Sequence, residues 1–124
     1  PAGQRNGRRA ELAVLGAEIV EINTANGWDV TKPHNWPNGE QNATDDTANL
    51  RKLGTNLMLM VTELAEAMEA LRKRDRANFE EELADTLIRI LDTSHGLGIN
   101  MDVVVAAKLA KNRTRGFRHG GKAV

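Results

Sequence analysis

Apolar residues recur every three or four positions along four stretches of this chain. Residues that stop or start helices bound each stretch. Leu12, Leu15, Ile19 and Ile22 form a stripe that predicts a first helix from about Arg9 to Asn26, with Gly27 as its stop signal. The following "GWDVTKPHNWPNGEQNAT" is rich in Gly, Pro and Asn and predicts a loop over about 27–44. A loop of that length inside one domain is often functional. Leu53, Leu57, Met60, Val61, Leu64, Met68 and Leu71 predict a second helix from Thr44 or Asp45 to about Arg74. Asp75 is placed to cap a third helix that carries Phe79, Leu83, Leu87, Ile90, Leu91 and Leu97. Gly98 then stops the pattern, and Asn100 caps a fourth helix from Met101 to about Arg115. The tail, residues 116–124, has no period. The expectation is an all-α four-helix bundle in a single domain spanning 1–124, its core completed by dimerisation.

Two carboxylate pairs interrupt the apolar helices. Glu63-x-x-Glu66 lies before the turn near Arg74 and Asp75, and Glu82-x-x-Asp85 lies after it. Residues three apart share one helix face. Glu66 stands about as far before the turn as Glu82 stands after it, and Glu63 and Asp85 match one turn further out. In an antiparallel hairpin the pairs stand level and four carboxylates converge. Such a cluster repels itself unless a cation neutralises it. Oxygen-only ligands suit Mg²⁺ or Mn²⁺. The Glu-x-x-His motif of di-iron bundles is missing. Glu18-x-x-Glu21 has the same spacing but no partner pair across a turn, and reads as a solvated face. Asp92 lies on the face of Asp85, two turns on.

The segment "KLAKNRTRGFRHGGK", residues 108–122, holds six Lys or Arg side chains and no acid. Lys108, Asn112 and Arg115 share one helix face. Positive groups near an acidic metal site are what a polyphosphate substrate requires. The alternative is cationic charge favoured at a helix C-terminus.

Composition narrows the choice. Lys plus Arg and Asp plus Glu are 17 each, so zero net charge disfavours stable binding to nucleic acid or to anionic membranes. No apolar run reaches the ~18 residues of a membrane span. Cysteine is absent, which excludes thiolate metal sites and disulfides and suits the reducing cytoplasm. A non-catalytic helical module that docks a partner through acidic and basic faces is the rival class.

The carboxylate pairs, their 15-residue spacer and the "KLAKNRTRGFRHGGK" segment resemble the signature of MazG-like nucleotide pyrophosphohydrolases, in the all-α NTP pyrophosphatase superfamily. The likeness covers roughly residues 50 to 122. It implies a helical bundle built as a homodimer or homotetramer. It implies Mg²⁺-dependent cleavage of an NTP or dNTP between the α and β phosphates, to nucleoside monophosphate and pyrophosphate, with cleaning of a nucleotide pool as one role. Carried over by position, Glu63, Glu66, Glu82 and Asp85 are the metal ligands and catalytic carboxylates. Lys108, Asn112 and Arg115 hold phosphate or sugar. Of the two tryptophans in or beside the loop, Trp36 is the candidate to stack on the base, whereas Trp28 is expected to plug the end of the bundle.

Overall fold

The computed structural model describes residues 10–39 and 43–115 of the chain. The tail at 116–124, with His119 and Lys122, lies outside the described residues. The described residues form four α-helices: α1 (Glu11–Ala25), α2 (Ala43–Arg72), α3 (Arg76–Gly96) and α4 (Met101–Arg113). A 3-10 turn, Pro33–Asn35, interrupts the connection between α1 and α2. There is no strand among the described residues. Among the described residues no helix is long and apolar enough to cross a membrane.

Local chemistry explains most of the boundaries. The Asp75 side chain accepts from the Asn78 N–H at 3.1 Å and starts α3. Asn100 accepts from the Val103 N–H at 3.2 Å and starts α4. Gly27 and Gly98 hold φ of +85° and +80° after α1 and α3, where a side chain would be strained. The first helix obeys a different rule. Ala10 precedes it in the left-handed region, and no local side chain caps it. Instead both oxygens of the buried Asp102, on α4, accept from the N–H groups of Leu12 and Ala13 at 2.8 and 2.9 Å. This remote carboxylate satisfies two free N–H groups at the positive end of the helix dipole and ties α4 to α1.

Helices α2 and α3 form a long antiparallel hairpin, and α3 is central, with α1 packed on it as well. Small residues allow the close approaches. Ala67 and Ala70 are buried in α2. A Cβ at Gly16 of α1 would meet the His95 Cβ at 2.9 Å. A Cβ at Gly96 would collide with the Thr31 carbonyl, so this end of α3 lies directly against the loop.

The described part of the loop, 27–39, is pinned to the helices. Asn56 of α2 donates to the Thr31 hydroxyl at 2.9 Å, Asn49 donates to the His34 carbonyl at 3.1 Å, and Asn35 donates to the Asn49 side chain at 3.1 Å. Lys52 pairs with Asp29 at 2.8 Å, and this contact lowers the Asp29 pKa. Trp28 does not plug the bundle: it is 71% exposed, because the chain leaves α1 with this side chain turned to solvent.

One chain buries few large apolar side chains. Among the described residues the buried hydrophobic set is Ile19, Ala67, Ala70 and Leu91. The α2 stripe of Leu57, Val61, Leu64, Met68 and Leu71 keeps about half of its surface exposed. Its 4–3–4–3 spacing is that of a helix–helix seam.

Candidate metal centre

The hairpin brings Glu63 and Glu66 of α2 to Glu82 of α3. One oxygen from each lies within 4.8 Å of the others, a spacing at which one cation can touch all three. Glu82 is buried, with 9% of its surface exposed, and its Oε2 has no hydrogen-bond partner. A buried anionic oxygen without a donor is costly. The neighbours make it worse. A hydrogen bond shared with Glu63, followed by burial and then the proximity of Glu66, pushes the Glu82 carboxyl up to about 7. Without a cation, the site keeps a proton near neutrality because three carboxylates cannot all ionise cheaply at this distance.

Asp85 is half-buried, one turn beyond Glu82, and is not in the group within 4.8 Å. Asp92, further along the same face, has a buried Oδ1 without a partner. Arg89, between them, was not singled out in the sequence. Its Nε donates to Glu63 Oε1 across the hairpin at 3.1 Å. The signal for it was present: Arg89 follows Asp85 by four residues and Glu82 by seven, a cation inside the apolar run "LIRIL" on the carboxylate face.

Lys108, Asn112 and Arg115 are exposed on α4 and the turn after it. Their side chains make no hydrogen bond or ion pair with another described residue. Trp36 is 60% exposed just after the 3-10 turn, held there by the bonds that pin the loop.

The donor set fits a hard divalent cation. It offers only carboxylate oxygens, three of them close together, and one of the three glutamates has a buried oxygen with no other partner. Fold and site together define a helical bundle, among the described residues, whose central hairpin carries three carboxylates placed to hold one divalent cation. The pattern of the MazG nucleotide pyrophosphohydrolase domain matches residues 51–117, more than half of the 124, and covers both carboxylate pairs and the basic segment through Arg115. The chain belongs to that family. No curated protein and no solved structure matched the chain.

Proposed function

We propose that this chain hydrolyses nucleoside triphosphates (NTP or dNTP) between the α and β phosphates, giving nucleoside monophosphate and pyrophosphate, with Mg²⁺ or Mn²⁺ as cofactor. The observation that carries this reading is Glu82, which has a buried oxygen without a partner and a carboxylate within reach of those of Glu63 and Glu66. It is an arrangement that a bound cation would complete. Glu63, Glu66, Glu82 and Asp85 hold the metal, and one carboxylate accepts a proton from the attacking water and orients it. The cation supplies Lewis-acid polarisation of the phosphate and lowers the pKa of water. Lys108, Asn112 and Arg115 neutralise phosphate charge or hold the sugar, and Trp36 stacks on the base. The half-exposed α2 seam supports a homodimer, or a tetramer made from two, in which a second copy covers Leu57, Val61, Leu64, Met68 and Leu71. The cytoplasm is the compartment that suits this reaction and this cysteine-free chain.

The test is hydrolysis of a panel of NTPs and dNTPs in ¹⁸O water, with and without Mg²⁺. The label is expected in the nucleoside monophosphate, and pyrophosphate release is expected to require the cation. Label in pyrophosphate, or release of single phosphate ions, overturns the reaction. A helical docking module with no catalysis would release nothing.

A further inference from the structure

Arg89 is the one cation among the described residues that bridges α2 and α3 at the carboxylate group. The other described ion pairs are either local, three or four residues apart in sequence, as with Arg72, Lys73 and Arg76, or pin the loop, as with Lys52. Arg89 touches Glu63 through Nε alone, and its terminal nitrogens donate to no described residue. Its side chain is 40% exposed, while that of Glu63 is 13% exposed. A structural clamp between these groups would use the bidentate fork of the guanidinium and bury it. A single-point, partly solvated pair is weak and exchanges readily.

The charge of the pocket points the same way. Three close carboxylates and one guanidinium leave the pocket negative. A divalent cation on the same three carboxylates removes the need for Arg89. Glu63 then has a stronger partner, and the part-exposed guanidinium is free to turn to the incoming phosphate chain. We propose that Arg89 is the resident counter-cation of this pocket: a divalent cation displaces it from Glu63, and the freed guanidinium then binds the phosphates of the nucleotide. This rests on the metal-dependent reading given above. It assigns to Arg89 a role in positioning the substrate that depends on the state of the pocket.

The test uses the full chain with Arg89→Met, which keeps the length of the side chain, and Arg89→Gln, which keeps a donor for Glu63 without the charge. Mn²⁺ binding is followed by electron paramagnetic resonance without nucleotide. Binding of a non-hydrolysable α,β-methylene triphosphate is then measured at saturating metal. Both variants should bind Mn²⁺ on the order of tenfold more tightly, because a repelling charge has gone. Both should bind the triphosphate about tenfold or more weakly, because a phosphate donor has gone, and Arg89→Lys should recover part of that loss. If Arg89 only props Glu63 in place, its removal loosens Mn²⁺ binding instead, and that result overturns the proposal. Unchanged affinity for either ligand also overturns it. Should Arg89→Met not fold, Arg89→Gln and Arg89→Lys carry the comparison. Failure of the wild type to bind Mn²⁺ defeats the metal-dependent function itself, whereas a wild type that binds beside unresponsive variants defeats only the role of Arg89.

Discussion

Glu82→Gln separates a metal centre from an acidic surface without any knowledge of the substrate. The substitution keeps the shape of the side chain and removes one charge from three carboxylates whose oxygens lie within 4.8 Å. In the metal-free protein it relieves repulsion with Glu63 and Glu66, and the new amide can donate to either of them. The variant should therefore melt higher than wild type in EDTA. With Mg²⁺ the order reverses. At a concentration a hundredfold above its Kd, a cation that binds only the native state stabilises wild type by about 2.7 kcal/mol. For a chain of 124 residues this is an upward Tm shift of roughly 10 °C, at ~4 °C per kcal/mol. Loss of one ligand weakens binding by about 100-fold, at the upper end of what even outer-sphere partners contribute. At the same Mg²⁺ concentration the variant then gains only about 0.4 kcal/mol, a shift of ~2 °C. Differential scanning fluorimetry over a Mg²⁺ titration, with Ca²⁺ and Na⁺ as controls, reads both effects. Equal Mg²⁺ shifts in the two proteins, or a lower Tm for the variant in EDTA, would refute the metal centre.

The other expectations concern pH, substrate holding and the remote cap. The Glu82 carboxyl titrates near 7 in the folded metal-free protein, against an ordinary value of 4.5, so the folded chain binds more protons between those limits. Metal-free wild type should gain stability relative to Glu82→Gln as pH falls from about 7 towards 4.5, with no further relative gain below; urea titrations at stepped pH measure this difference. Arg115→Ala and Lys108→Ala should each lower kcat/KM by an amount equivalent to about 2–4 kcal/mol and leave Mn²⁺ affinity unchanged; full activity in Arg115→Ala would make the basic face a solvated one. Asp102→Ala removes two charge-assisted hydrogen bonds from the start of α1. It should cost about 2–4 kcal/mol of stability, with the loss seen first as faster hydrogen exchange in α1.

The helices were legible because their signals are local. A 3.6-residue apolar period needs only neighbours in sequence, and Asp75, Asn100, Gly27 and Gly98 act within a turn of where they stand. The observed α2, α3 and α4 start within two residues of the expected positions and end within two of them where an end was marked. The level placement of Glu63 and Glu66 opposite Glu82 was legible for the same reason, since equal distances from one turn put residues side by side in a hairpin. What could not be read depends on how each helix is rotated about its own axis, which packing decides. Glu63, Glu66 and Glu82 meet within 4.8 Å, while Asp85 stands a turn away. The ion pair between Arg89 and Glu63 spans 26 residues. The expected start of α1 near Arg9 had no capping signal in the sequence, because its cap comes from Asp102, 90 residues from Leu12. The loop over 27–44 read only as loop, yet Asn49, Asn56 and the bare backbone of Gly96 hold its stretch from Thr31 to His34 against the hairpin. The apolar stripe of α2 marked a helix in the sequence, but not which neighbour covers it. In one chain it stays half exposed, because α3 and the small residues Ala67 and Ala70 occupy the other side of α2, and a helix can bury only the face that its neighbours reach.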